Sequence, residues 1–129
     1  MPTYRITIVR TNLPRNNNLN DELQFFSKSL GLFDSKRDKE KSCFRIFIQL
    51  LKTKAPLSSD EIAEKSHLSR GTVIYHIHNL VERGIVKEEK NRYLLIDTNL
   101  QNVIARMETE IARALDDLKE IARKIDREI

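Results

Sequence analysis

The strongest constraint on the fold is a change of hydrophobic period at residue 85. Before it, residues 58–84 carry apolar side chains at helical spacing, interrupted only by a short link at 66–68. After it, residues 85–96 hold two β-capable stretches around the polar pair Lys90-Asn91, which is typical of a tight hairpin turn. The sequence therefore predicts two closely linked helices followed by a β-hairpin.

Capping residues locate the starts of these two helices. Ser58 stands three residues ahead of Glu61, the spacing of a capping box, and predicts a short helix over residues 59–65. Ser69 is placed to cap the next helix, which should end near Gly84.

The chain before this region predicts further helices. A longer helix should start at Asp34 or Ser35 and end near Lys54, because Pro56 prevents its continuation. Its expected buried stripe consists of Phe44, Phe47, Ile48 and Leu51.

The first 31 residues predict a strand, a loop and a helix. The alternating residues 3–9 favour a short strand, and the asparagine-rich stretch 11–18 favours a loop. Residues 20–31 favour a helix capped by Asn20, with Gly31 just beyond its end.

Helical-wheel geometry divides the helix after Ser69 into two faces. At about 100° per residue, Val73, Ile77 and Leu80 share one side and should join a core with Ile62 and Leu68. The opposite side presents Gly71, Tyr75 and His78, with Thr72 and Asn79 flanking them. A polar face beside a hairpin that carries Lys90 and Arg92 suits insertion into a DNA major groove. Gly71 removes a side chain near the start of the helix, where the backbone would come closest to DNA.

The segment also resembles a known family. The matching residues are Ile62-Ala63, Leu68-Ser69-Arg70, Gly71-Thr72-Val73, Leu80 and Arg83-Gly84-Ile85-Val86. This pattern is similar to that of ArsR/MarR-type winged helix-turn-helix transcriptional regulators, especially small archaeal ones. It covers about 40 residues closely; Ile74 departs from it, being apolar where such helices often carry a polar side chain.

The resemblance implies roles for individual residues in binding double-stranded DNA. Ser69, Arg70 and Thr72 would meet phosphates or base edges at the start of the helix. Tyr75, His78 and Asn79 would read the groove, while Lys90 and Arg92 would reach the backbone or the minor groove.

Structural alternatives remain open for several of these residues. Arg70 is also compatible with a solvated helix start, and Tyr75 with packing against the neighbouring short helix. The hairpin interleaves Lys90 and Arg92 with Glu88 and Glu89, which also fits a solvated hairpin. A winged helix can instead be a protein-interaction subunit without a DNA target, because fold does not fix function.

Charge and composition indicate a soluble, helix-rich protein and permit, without requiring, a polyanionic partner. Residues 39–98 hold 11 basic and 8 acidic side chains, a mild excess that permits binding to a polyanion. The longest apolar run falls far short of the roughly 20 residues that a bilayer requires, and the N-terminus lacks a secretory signal. A helix-rich, cytoplasmic protein is expected.

No enzyme, cofactor or metal site is expected. The sequence has no glycine-rich phosphate loop, nucleophile elbow or HExxH pair. His76 and His78 lie two residues apart on a helix, so their rings point roughly 200° away from each other and cannot share a metal. Cys43 is the one cysteine, and it is better explained as a small buried side chain than as a sensing thiol.

The C-terminal residues 98–129 predict a long helix, capped by Asp97 or Thr98, that mediates dimerisation. Four successive heptads place Ile104, Ile111, Leu118 and Ile125 at one seam position and Leu100, Met107, Ala114 and Ile121 at the other. Such a stripe, about 46 Å long, exceeds the face that a small winged helix offers, although packing on its own domain is the alternative. The residues expected at the dimer seam are Ile104, Met107, Ile111, Leu115, Leu118, Ile121 and Ile125.

The expected chain is therefore mainly α with one small β-hairpin. It comprises an N-terminal extension (1–34), a winged helix-turn-helix domain (35–97) and a coiled-coil-like dimerisation helix (98–129). The expected function is that of a homodimeric, sequence-specific regulator bound to a palindromic operator, whose effector ligand the sequence does not indicate.

Overall fold

A computed structural model describes residues 5–15, 17–32 and 41–129. These residues form five helices and one antiparallel two-stranded hairpin, which confirms the predicted mainly α fold. The chain divides into two compact units, one extending to Ile96 and the other spanning Asp97–Ile129. The elements are α1 (Leu19–Ser29), α2 (Ser42–Lys52), α3 (Ser59–Ser66), α4 (Arg70–Glu82), β1 (Val86–Glu89), β2 (Arg92–Leu95) and α5 (Leu100–Glu128).

Helix α1 begins earlier than predicted and ends where predicted. Asn18, not Asn20, is the N-cap, and its Oδ1 accepts the backbone N–H of Asn20 at 2.8 Å. Two asparagines in one loop offer equivalent caps, and the sequence alone does not choose between them. Gly31 follows the helix with φ of +77°, the left-handed conformation expected of a C-terminal glycine.

The predicted strand over residues 3–9 is wrong in its described part. Residues 5–9 belong to no strand. The backbone N–H of Val9 donates to the carbonyl of Ser29 at 2.8 Å, a contact with the end of a helix. A β-branched alternating stretch forms a strand only where a neighbouring strand supplies the ladder, and none is present among the described residues.

Helix α2 is shorter than predicted and buries a different face. It begins at Ser42, after Lys41 in the left-handed conformation, while the predicted starts at Asp34 and Ser35 lie outside the described residues. Of the predicted stripe only Phe47 is buried; the other three residues are half-buried. Apolar side chains surround most of this helix, so periodicity alone did not define its core face. The face that is buried consists of Cys43, Ile46, Phe47 and Leu50.

The predicted helix-turn-helix is formed by α3 and α4. Ser58 and Glu61 make both hydrogen bonds of the predicted capping box, and Ser69 caps α4 as expected. Both helices pack against α2. Leu68 is half-buried and so contributes less to the core than predicted. The side chains of this unit that are at most 1% exposed, apart from Ser27, are Ile46, Phe47, Ile62, Val73, Ile77, Leu80, Ile85 and Val86.

The hairpin has the predicted turn and gains a third backbone partner. Val86 pairs with Leu95 and Glu89 with Arg92, which leaves Lys90-Asn91 as the two-residue turn. Both turn residues have positive φ, 53° and 63°, as a type I′ turn requires. Leu57 exchanges two hydrogen bonds with Tyr93, at 2.9 and 2.7 Å, and so joins the hairpin to the segment before α3.

The C-terminal unit is the single long helix α5. Asn99 is its N-cap, with Oδ1 accepting the N–H of Asn102 at 2.8 Å, so the predicted cap at Asp97 or Thr98 is wrong by one or two residues. The helix spans 29 residues, about 43 Å at the usual rise. Among residues 5–15, 17–32 and 41–129, no helix is both long enough and apolar enough to cross a membrane.

Candidate nucleic-acid interface

The start of α4 is fixed by a local network of hydroxyl groups. Ser69 Oγ accepts the backbone N–H of Thr72 at 3.2 Å and donates to Thr72 Oγ1 at 2.8 Å. Serine in an extended conformation just before a helix satisfies an otherwise unpaired N–H group. The two hydroxyls therefore hold each other and orient the first turn, where the positive end of the helix dipole favours an anion such as a phosphate.

The solvent-facing side of α4 is the polar face predicted from the helical wheel. Tyr75 is 70% exposed, and Gly71 and His78 are exposed as well. Thr72 and Asn79 flank them and are half-buried. The alternative in which Tyr75 packs against a neighbouring helix does not fit this exposure.

The ring of Tyr75 is oriented by its neighbour in sequence. It meets the ring of His76 edge to face, with centroids 5.0 Å apart. His76 is half-buried, so its ring is held by the domain. Edge-to-face contacts of this kind restrict the orientation of an exposed aromatic ring. Tyr75 therefore presents its hydroxyl to solvent from a supported position.

Arg70 lies at the first position of α4 and is paired across the turn with α3. Its Nε is 3.4 Å from Asp60 Oδ1, and both side chains are about 70% exposed, at 69% and 73%. The interaction is a solvated ion pair, which is weak and exchangeable. Arg70 is thus accessible to a phosphate, although not without a competing carboxylate.

The hairpin offers one exposed lysine in its turn and, directly after the turn, one arginine that is held by an ion pair. Lys90 is exposed in the turn, and among the described residues it makes no ion pair. Arg92 Nη1 contacts Glu61 Oε1 at 2.7 Å and also donates to the carbonyl of Pro56 at 3.4 Å. Arg92 therefore fastens the hairpin to the start of α3, a role that sequence reasoning did not foresee.

Glu61 connects the capping box with the hairpin. Its Oε1 accepts the backbone N–H of Ser58 at 3.2 Å as well as the guanidinium of Arg92. Hydrogen bonding from Ser58, followed by the charge of Arg92, lowers the pKa of Glu61. The carboxylate stays charged at neutral pH and holds both partners.

The turn between α3 and α4 is stabilised by an arginine of α2. His67 adopts the left-handed conformation, with φ of 55°, which is unusual for a residue with a side chain. Arg45 Nη2 donates to the carbonyl of Ser66, and a second contact reaches that of His67 at 3.4 Å. Arg45 thus satisfies backbone oxygens at the end of α3 and stabilises the angle at which α4 is presented.

A buried arginine joins α1 to the same domain. Arg83 is 7% exposed, and its Nη1 donates to the carbonyls of Leu30 and Gly31, at 3.0 Å each. These oxygens lie at the end of α1, where a cation is favourable to the helix dipole. Phe26 also stacks on Phe47, with ring centroids 6.0 Å apart.

The structure therefore places the predicted DNA-binding residues in one compact unit and adds supporting residues to them. Helix α4 contacts β1, so the polar face and the hairpin belong to the same compact unit. The residues missed from the sequence act through distant contacts. Of these residues, Arg45 could have been suspected from the sequence, because it is a cation within an otherwise apolar stretch. Nothing in the sequence indicated the contacts of Leu57, Asp60 or Arg83.

Within the described ranges 5–15, 17–32 and 41–129, the histidines and Cys43 form no cluster of three or more metal-ligating residues. In the part of the chain that the structure describes, no group of three or more His, Cys, Asp or Glu side chains could hold a metal ion. Cys43 is buried in α2, as expected of a small core side chain.

The residues predicted at the dimer seam have a graded exposure along α5. Met107 is buried and Ile111 half-buried, while five others are exposed by 41–64%. These five are Ile104, Leu115, Leu118, Ile121 and Ile125.

Comparison with known proteins supports the DNA-binding assignment of this domain. Residues 44–87 match the family model described as winged helix-turn-helix DNA-binding. The match spans α2, α3, α4 and the first residues of β1. No curated protein and no solved structure matches the chain. The chain thus contains a winged helix-turn-helix domain of a DNA-binding class, and DNA is the partner that this match supports.

Proposed function

We propose that the protein is a cytoplasmic, non-enzymatic transcriptional regulator of the ArsR/MarR type that binds a palindromic operator as a homodimer. Helix α4 enters the major groove, and the hairpin contacts the backbone beside it. The observation that carries the proposal is the exposed polar face of α4 within a domain that matches DNA-binding winged helices.

The character of this face favours DNA over a protein partner. The cores of protein interfaces are depleted in charged groups and rich in apolar anchors. Around Gly71 and His78 the exposed side of α4 carries hydrogen-bonding groups, and the exposed Arg70 at its start and Lys90 in the hairpin turn add positive charge. Tyr75, the large exposed side chain here, combines a ring with a hydroxyl and suits either base stacking or hydrogen bonding.

Specific and non-specific contacts fall on different residues. Tyr75, His78 and Asn79 lie beyond the first turn of α4, where side chains of a recognition helix reach base edges. Arg70 and Lys90 are assigned to phosphates, and their contacts supply affinity without reading sequence. Arg92 is assigned to holding the hairpin, because Glu61 and Pro56 already engage its guanidinium.

The decisive experiment is selection from a pool of randomised duplex DNA with the full-length protein. The expected result is a two-fold symmetric sequence whose half-sites are separated by about one helical turn. Footprinting of the recovered sequence should protect both halves equally. Failure to enrich any sequence from the pool would contradict a sequence-specific regulator and favour a protein-interaction subunit instead.

A further inference from the structure

An acidic side chain lies next to the arginine that starts α4. Asp60 is in the first turn of α3, and its Oδ1 is 3.4 Å from Arg70 Nε. Both side chains are exposed. Asp60 takes no part in the capping box, which Ser58 and Glu61 complete between themselves. Its carboxylate is therefore placed on the proposed DNA-binding side without being needed for the turn itself.

We propose that Asp60 limits the affinity of this domain for DNA by competing with phosphate for Arg70. A carboxylate and a phosphate oxygen accept the same guanidinium N–H groups. When DNA approaches, Arg70 must either leave Asp60 or draw a phosphate towards a like charge. Either course lowers affinity relative to a helix start without the carboxylate. The inference rests on the proposed function and assigns to Asp60 a role in setting the affinity for DNA.

The second ion pair of the region shows why Asp60 is suited to this role. The contact between Arg92 and Glu61 is shorter, 2.7 Å, and Glu61 also accepts the N–H of Ser58. That pair thus belongs to a network with the capping box and has more hydrogen bonds than the pair of Asp60 with Arg70. The pair of Asp60 with Arg70 involves one long contact between solvated groups, so its partners exchange readily.

A modest reduction in DNA affinity suits a protein that must search a genome for its binding site. Phosphate contacts strengthen binding to every sequence alike and therefore add no discrimination. A carboxylate beside one of them lowers the affinity for every duplex, selected or not, without changing the contacts that read bases. The weaker non-specific binding shortens the time that the protein spends on other sequences.

The test is a double-mutant cycle with Asp60→Asn, Arg70→Ala and the combined variant. Binding to the selected duplex and to a scrambled duplex is measured by fluorescence anisotropy in one buffer. Asp60→Asn should bind both duplexes about two- to fivefold more tightly, the range of an exposed ion pair. In the Arg70→Ala background the same substitution should change affinity by less than about 1.5-fold.

The control removes one negative charge elsewhere. Asp116 is exposed on α5, so Asp116→Asn changes the net charge equally without a contact to Arg70. It should leave affinity unchanged, and thermal unfolding should show that Asp60→Asn remains folded.

Three outcomes would overturn the inference. Equal affinities of Asp60→Asn and wild type would show that the carboxylate does not compete. A gain that persists in full without Arg70 would show simple repulsion of DNA by Asp60. A gain of the same size from Asp116→Asn would assign the effect to net charge. If wild type binds neither duplex, the proposed function itself fails, and this inference fails with it.

Discussion

Two glycines of this chain have opposite surroundings. Gly31 has φ of +77°, and a Cβ built on it would lie 2.7 Å from Arg83 Nη1. Gly71 has a conventional helical backbone, and a Cβ there would meet nothing within 4 Å. The fold therefore explains Gly31 but not Gly71. Open space at the start of a recognition helix is instead consistent with close approach of a DNA backbone.

Gly71→Ala should stabilise the protein while weakening DNA binding. Alanine is the better helix former and restricts the unfolded chain, so the free energy of unfolding should rise by about 0.5 kcal/mol. An added methyl group on the DNA-facing side should keep the helix start away from phosphate. Urea unfolding and anisotropy measure the two effects. Unchanged affinity for the selected duplex would remove Gly71 from the interface.

Gly31→Ala should act in the opposite direction on stability. A left-handed backbone strains alanine, and its Cβ would displace the buried Arg83 from the carbonyls of Leu30 and Gly31. The expected loss is about 1–3 kcal/mol, to be measured by urea unfolding beside Gly71→Ala as the matched substitution. Equal stabilities of the two variants would show that the contact of Arg83 with α1 does not support the domain.

Tyr75 and Lys90 should differ in how their loss affects binding. Tyr75→Ala removes a side chain from the groove-facing side and should cost about 1–3 kcal/mol on the selected duplex only. Lys90→Ala removes a solvated charge and should weaken all duplexes alike, with the salt dependence reduced by about one counterion. Salt titrations with both duplexes separate the two patterns. If neither variant departs from wild type, this face does not contact DNA.

At the scale of single elements, the start of α5 depends on one carboxylate. Asp97 Oδ2 accepts Arg106 Nε at 2.6 Å, and its Oδ1 accepts the backbone N–H of Thr98 at 2.7 Å. The hydrogen bond from Arg106, then that from Thr98, lowers the pKa of Asp97 from 3.8 to about 2. These contacts favour the charged form and tie the segment before the helix to its second turn.

The stabilisation supplied by Asp97 should therefore be lost in acid. Because the folded-state pKa lies below the unfolded one, the contribution is complete above about pH 4 and disappears as the pH falls towards 2. The difference in urea midpoint between wild type and Asp97→Asn should be present at pH 7 and mostly lost at pH 2. A difference independent of pH would mean that the charge of Asp97 is not what stabilises the helix start.

The sequence predicted caps and turns correctly where it offered one candidate residue for each. Ser58, Ser69 and the Lys90-Asn91 turn were all placed correctly, because each acts within three residues along the chain. Where the sequence offered equivalent choices, the prediction failed. Two loop asparagines compete to cap α1, and α2 is apolar around most of its circumference.

The sequence predicted which side chains of α4 are buried and which are exposed, but not the ion pairs of the site. The wheel placed Val73 inside and Tyr75 outside, since helical geometry alone decides this. The sequence did not show that Arg70 and Arg92 each face an acid on α3. Those contacts span ten and 31 residues and exist only once the helices pack. Tertiary pairing thus gives Arg92 a structural role, support of the hairpin, that the sequence did not predict.

At the scale of the whole molecule, the exposed stripe of α5 is the feature that the folded chain does not explain. Leu118 is 64% exposed, and Ile121 and Ile125 are about half exposed, at 50% and 48%. They continue the heptad pattern to the end of the chain. Soluble proteins rarely leave so continuous an apolar stripe in water. A second copy of the same helix is the occupant that heptad spacing favours.

Replacing Leu118 and Ile125 with Asp should therefore separate the dimer without unfolding the winged helix. Both side chains are exposed in the single chain, so the core around Phe47 and Ile77 should keep its dispersed amide signals in NMR spectra. Sedimentation should show the mass halving, and binding to the selected duplex should fall steeply, because each half-site would then be bound alone. Ala105→Asp with Ala112→Asp, also exposed but off the stripe, adds the same charge and should leave the dimer intact. A wild type that already sediments as a monomer at micromolar concentration would contradict the dimer, and the two-fold symmetry expected of its operator would lose its structural basis.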